Sequence, residues 1–257
     1  MSEYQNYSAN GVAEDRDINY SLVKVFGYMF GALFITAVVM LSLAGLFRIA
    51  FGIGDNFLYD EGATVDFNND AVLWLFVAMI ASSIGLIVLS FVMPAILVKG
   101  EHSILIPGII YSVLMGVSLA CLAIFIPWYL IGTTFGITSV IFGILALIAF
   151  ISKGRLKGIW IVGIGLVLGG SLICLFLWIL SFFINVTWLY WVVSLAVFVG
   201  MMLITIVDVA RIKTIAEQGD MTNNTSLYCA YILYNDFIHI FIRILRIVLI
   251  VFARSKN

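Results

Sequence analysis

Residues Ala71–Val98 read AVLWLFVAMIASSIGLIVLSFVMPAILV, and none of them is charged. A helix needs about 20 apolar residues to cross the roughly 30 Å hydrocarbon layer of a bilayer. This run is long enough to span on its own, and the same pattern extends in both directions from it. Spans fall at about Leu22–Ile49, Ala71–Val98, Ile104–Leu130, Thr133–Ile151, Gly158–Ile184, Val186–Val207 and Tyr228–Phe252. The first six are clean, whereas Asp236, His239, Arg243 and Arg246 interrupt the seventh. The expected fold is an all-α polytopic membrane protein of seven helices.

Composition agrees. Of the 257 residues, 63% are hydrophobic and 11% charged, against roughly 45–50% and about 25% in a soluble domain. A chain of this size has too much surface to hide such an excess in a core, so the excess faces lipid. A net charge of −1 gives no basic footprint for nucleic acid. Cys121, Cys174 and Cys229 lie in or beside apolar runs and match no metal spacing, so they read as small packing residues.

The stretch from Met1 to Tyr20 is polar, with Glu3, Glu14, Asp15, Arg16 and Asp17. It lacks the basic start and short apolar core of a signal peptide. Residues 1–21 are expected to form a disordered cytoplasmic tail, and residues 22–254 a single transmembrane domain. Orientation follows from Lys and Arg. Lys99, then Lys153, Arg155 and Lys157, then Arg211 and Lys213 follow the even-numbered spans; only Arg48 lies by the loops after the odd ones. The N-terminus is therefore expected in the cytoplasm. The loop Gly52–Asp70, with Asp55, Asp60, Glu61, Asp66 and Asp70 and no basic residue, falls outside. Arg254 and Lys256 favour an internal C-terminus while the span count favours an external one, so the last helix either crosses or re-enters. Gly27 and Gly31, Gly132 and Gly136, and Gly165 and Gly169 lie four apart, a spacing that lets helix backbones approach in lipid.

Ionisable groups inside a membrane are costly and point to function. Asp208 closes the sixth span and Asp236 lies well inside the seventh. If the last two helices form an antiparallel hairpin, each aspartate is 14 residues from Thr222. At about 1.5 Å of rise per residue the two sit at one height, and helix axes about 8–10 Å apart let their side chains meet. Two carboxylates in a poorly solvated place do not both ionise cheaply and share a proton. Deprotonated, they offer hard oxygen ligands suited to Ca²⁺. Other readings stand beside this one. Asp208 can pair with Arg211 one turn on, and Asp236 can form a buried ion pair with Arg243 or Lys99. Asp236, His239, Arg243 and Arg246 recur at spacings of 3, 4 and 3, a single stripe expected to face the bundle interior or an aqueous path. His239 is a polar contact or a proton relay; His102, in a distant loop, does not pair with it as a metal ligand. No GxSxG, HExxH, P-loop or dinucleotide fingerprint occurs, so no catalysis and no cofactor are expected.

The stretch GMMLITIVDVARIKTIAEQGD from Gly200, followed by LYCAYILYNDFIHIFIRILRIV from Leu227, resembles the Bax inhibitor-1 (transmembrane Bax inhibitor motif) family, in its bacterial form. TTFGITSVIFGILALIAFISKGRLKGIW from Thr133 resembles that family's fourth and fifth helices. The likeness covers roughly Ile104–Val251, and the two family aspartates fall on Asp208 and Asp236. The resemblance implies six helices around a more polar seventh and a di-aspartyl pH sensor in a Ca²⁺-leak pathway of a bacterial inner membrane. It also implies a basic latch near the cytoplasmic end of the second helix, where this chain offers Lys99 instead of the usual Arg. Arg211 and Arg243 become secondary ion-pair partners. Departures are Val209-Ala210 after Asp208 where Thr-Gln is usual, Asn235 where Leu is common, Arg155 where an acid is frequent, and a longer linker at Met221–Ser226.

Two functional classes follow. One is a proton-regulated calcium leak. The other, implied by relatives that modulate proteolysis or cell death, is a non-conducting regulator that binds a partner such as a quality-control membrane protease. A secondary transporter would show two similar halves with paired broken helices, and none is visible.

Overall fold

A computed structural model describes residues 2–51, 70–99, 103–151, 156–180, 187–219 and 221–254. Seven helices account for nearly all of these: α1 Ser2–Phe51, α2 Asp70–Lys99, α3 Leu105–Ala123, α4 Trp128–Ile151, α5 Leu156–Leu180, α6 Thr187–Glu217 and α7 Asn223–Arg254. No strand occurs among the described residues. Six helices, α1 to α6, are long and apolar enough to cross a membrane, which makes this a multi-pass membrane protein. The acidic loop Gly52–Asp70, apart from the backbone of Asp70, lies outside the described residues, as do His102, Lys153, Arg155 and Lys256.

The boundaries differ from the sequence reading where local chemistry overrides hydropathy. The expected third span, Ile104–Leu130, is cut at Ala123. Pro127 has no N–H to donate and disfavours helix in Ile126 before it. Its carbonyl instead accepts the first bonds of α4, from Leu130 N at 3.0 Å and Ile131 N at 3.4 Å. The expected sixth span ended at Val207, yet α6 continues to Glu217. Asp208 therefore lies within the helix and does not close it. Gly219, at φ 75°, ends α6, a left-handed conformation that glycine adopts without strain. Thr222 then starts α7, its Oγ1 accepting from Thr225 N at 3.1 Å as a helix N-cap does. The polar stretch read as a tail belongs to α1, which reaches back to Ser2; no proline stands between there and Phe51.

By its internal contacts the chain divides into two compact units, Met1–Thr133 with Asp220–Tyr234, and Thr134–Gly219 with Asn235–Asn257. In the first unit α3 packs against both α1 and α2. The buried face of α1 repeats every three or four residues through Val25, Met29, Leu33, Thr36, Met40 and Ala44, the helical period. Gly116 brings α3 against it: a Cβ there would lie 2.9 Å from the Thr36 carbonyl oxygen. Thr36 Oγ1 lies 3.0 Å from the carbonyls of Ala32 and Ser112 and 2.6 Å from Tyr234 Oη. Carbonyls only accept, so the threonine proton goes to them and Tyr234 donates to Thr36.

Arg48 completes this unit. It is 7% exposed, donates from Nε to the Ile124 carbonyl at 2.9 Å and from Nη2 to Ala123 at 3.2 Å and to Ile126, and lies 4.1 Å over the Trp128 ring. Helix C-termini leave carbonyls without intrahelical donors and carry partial negative charge. Arg48 answers both at the end of α3.

In the second unit α5 and α6 pack closely through Gly163 and Gly200, where an added Cβ would come within 3.3 and 3.1 Å of the other's carbonyl oxygen. The glycine pairs singled out in the sequence do not serve this purpose. At Gly27, Gly31, Gly132, Gly136, Gly165 and Gly169 a Cβ would meet nothing within 4 Å. Spacing along one helix says nothing about which face a partner covers. Phe237 of α7 packs on Phe135 and Phe142 of α4, with ring centroids 5.4 and 5.6 Å apart. Lys213 donates to the Phe150 carbonyl at 3.1 Å near the end of α4.

Candidate functional site

The site lies in the second unit, where α7 runs antiparallel along α6. As α7 advances from Asp236 through Arg243 to Arg246, its partners on α6 step back from Thr205 to Ser194 to Trp191. The apolar side of α7 (Phe237, Ile240, Phe241, Ile244) is buried. The charged stripe borders recesses beside α6 and not the packed interior: Asp236 and His239 line one, Arg243 and Arg246 another.

Asp208 and Asp236 are brought within electrostatic reach of each other, and the Thr205 hydroxyl lies against the Asp236 carboxyl. Thr205 is buried, and its Oγ1 also donates to the Met201 carbonyl at 3.0 Å. Asp236 Oδ2 is buried with no hydrogen-bond partner. Buried polar atoms are nearly always paired, and an exception calls for an explanation. Asp236 also lines a cavity of about 190 Å³, together with Val167, Met201, Ile204, Thr205 and His239.

The other residues singled out in the sequence take different positions. Arg211, one turn beyond Asp208, is exposed and within electrostatic reach of it, so Asp208 faces both an opposite charge and a like one. His239 is exposed at the cavity, and its Nδ1 donates to the Asn235 carbonyl at 2.8 Å, since a carbonyl only accepts. Arg243 Nη1 donates to Ser194 Oγ at 2.6 Å, two turns along α7 from Asp236. Lys99 is exposed at the end of α2, in the other unit. Among the described residues no group of three or more His, Cys, Asp or Glu side chains gathers as a metal site. The oxygen ligands on offer are the two carboxylates and one hydroxyl.

Thr205 went unremarked in the sequence, and Arg48 entered there only through the orientation of the chain. Thr205 lies three residues before Asp208 and so on the same face of α6, a signal that was present. Arg48 stood out only as the basic residue on the side otherwise free of them.

Comparison with known proteins adds to this geometry. Residues 18–254 match the family described as inhibitor of apoptosis-promoting Bax1. Over 150 residues the chain is 31% identical to the inner membrane protein YbhL of Escherichia coli strain K12, and equally so to that of strain CFT073. The match covers 54% of this chain and 59% of each relative, so the chain spans little more than half the length of the curated relatives it matches. No solved structure matches it.

Proposed function

The chain belongs to the Bax inhibitor-1 family, and on that premise we propose that it is a pH-regulated calcium leak pathway whose sensor is the Asp208–Asp236 pair. The observation that carries the proposal is Asp236 Oδ2, buried without a partner beside a second carboxylate. Like charges at close range in a poorly solvated place favour one shared proton over two free carboxylates. When the proton leaves, hard oxygens become available to a cation. Ca²⁺ takes about 6–8 oxygen ligands, so two carboxylates and the Thr205 hydroxyl supply part of a shell and water supplies the rest. Such a site suits an ion in passage.

In this reading α7 is a seventh, more polar crossing, a view supported by its antiparallel course along α6. Arg211 tunes Asp208, His239 relays protons at the cavity edge, and Lys99 is the latch. The membrane is a bacterial inner membrane, as for the YbhL relatives, with the N-terminus in the cytoplasm. The test is Ca²⁺ flux from purified protein in liposomes across about pH 5–8, where proton sharing alters carboxylate titration. Asp236→Asn imitates the protonated residue, so its flux should stay near the wild type's low-pH value at every pH. Wild-type flux–pH curves in both Asp208→Asn and Asp236→Asn would remove the pair from the mechanism. Absence of flux at any pH, with a membrane protease co-purifying, would establish the regulator instead.

A further inference from the structure

The first unit holds a cavity of about 200 Å³ between α1, α3 and the first turns of α7, and no charged side chain lines it. Three helices running the same way set its shape. At one end Lys24 of α1 meets Asn223 of α7, and the Asn224 Oδ1 accepts from Ile104 N, before α3, at 3.5 Å. At the other end Thr36, Ser112 and Tyr234 are joined. Between these closures α1 lines the cavity from Gly27 to Ile35 and α3 from Ile104 to Ser112, on each a rise of eight residues or about 12 Å. The cavity is therefore elongated along the helix axes.

Glycine keeps it open, since a Cβ at Gly27 or Gly31 would meet nothing within 4 Å. Tyr234 and Tyr231 turn their hydroxyls to Thr36 and Ser90 and so offer ring surface to the space. Leu105 and Ile109 line one side and are 45% and 43% exposed, on a helix apolar enough to span a membrane. The opening thus faces hydrocarbon. An apolar cavity of about 150 Å³ stays dry and takes an apolar guest. In a bilayer the guest at hand is an alkyl chain, and the elongated form suits one chain lying along the helices.

The Lys24 end indicates what that chain carries. Lys24 lies one turn before Gly27 and Tyr28, on the same face of α1. Its ammonium donates to Asn223 Oδ1. That amide is neutral and takes one of the three protons, so the bond holds the positive charge in place without cancelling it. A cation at the end of an apolar slot is matched by an anionic head on the chain within.

We infer that this cavity binds a long-chain fatty acid, its alkyl tail between α1, α3 and α7 and its carboxylate at Lys24. The site uses neither aspartate, so it stands or falls apart from ion conduction.

The test uses the full-length protein in mild detergent, with the fluorescent fatty acid cis-parinaric acid as probe and unlabelled lipids as competitors. Palmitate should displace the probe saturably. Hexadecanol, with a chain of the same length and a neutral head, should compete about fivefold less well, the contribution of one lysine near an anionic head. Lys24→Gln keeps a donor for Asn223 and removes the charge, and should bring palmitate down to the level of hexadecanol. Gly27→Leu with Gly31→Leu fills the cavity with side chains that helices favour over glycine, and should abolish saturable binding. Gly136→Leu, at a position equally open around its Cβ but outside the cavity, should leave binding unchanged. If the double variant fails to fold, the comparison of acid with alcohol in the wild type and in Lys24→Gln decides. Equal competition by acid and alcohol in the wild type, or unchanged binding in the double variant, would overturn the site. Displacement by dioleoyl phosphatidylglycerol as strong as by palmitate would overturn the fatty-acid assignment in favour of a membrane phospholipid.

Discussion

Tyr234 and Asp236 stand two residues apart on α7, and their surroundings differ in kind. Around Tyr234 the polar groups close on one another: its hydroxyl meets Thr36, whose oxygen meets the Ala32 and Ser112 carbonyls. Around Asp236 the network stays open, because one carboxyl oxygen is buried without a partner in a residue that lines a cavity. A closed network of neutral hydroxyls specifies packing and stabilises. An open one holding a carboxylate costs stability, and it persists where a proton or cation needs it. The first arrangement serves the fold; the second is the one that the proposed function uses.

That contrast can be broken from either side by substitution and thermal or denaturant unfolding in detergent. The largest loss is expected on the closed side at Arg48. Arg48→Met removes the donors to three carbonyls at the end of α3 and should cost about 3 kcal/mol, since each buried acceptor left unsatisfied costs roughly 1–3. Gly116→Ala forces a methyl group against the Thr36 carbonyl, with the Val39 side chain 2.8 Å from the same Cβ, and should cost about 1–3 kcal/mol by overpacking. Tyr234→Phe deletes one hydrogen bond and should cost about 1 kcal/mol. Asp236→Leu should cost nothing or stabilise, as replacing a buried ionisable group by an apolar one of similar size often does. A large loss of stability in Asp236→Leu would place that carboxylate among the groups that hold the fold together.

Much of this was legible in the sequence, for reasons that vary by residue. Long uncharged runs such as Ala71–Val98 mark spans because lipid admits little else. Asp236 was conspicuous because charge inside such a run is expensive. Its proximity to Asp208 followed from equal spacing about Thr222. Other features were not legible in the same way. The break at Pro127 was hidden by a hydropathy that stays high through Ile124, Phe125 and Ile126, although the proline itself was the signal. The extension of α6 to Glu217 was missed because Arg211, Lys213 and Glu217 read as loop by charge. They are helical by backbone, with Lys213 and Glu217 paired at 3.7 Å. The glycines at Gly163 and Gly200 that join α5 to α6 have no mutual spacing to reveal them, since they lie on different helices. The open valence at Asp236 is a property of its surroundings, and no sequence displays it.

We propose that Asp208 and Asp236 hold one proton between them. Infrared difference spectroscopy on the reconstituted protein reads it directly, through the carbonyl band of a protonated carboxylic acid followed against pH. One such band is expected, which disappears in Asp236→Asn and whose midpoint moves in Asp208→Asn, because each carboxylate sets the other's titration. Two bands titrating independently, each indifferent to substitution of the other residue, would contradict it.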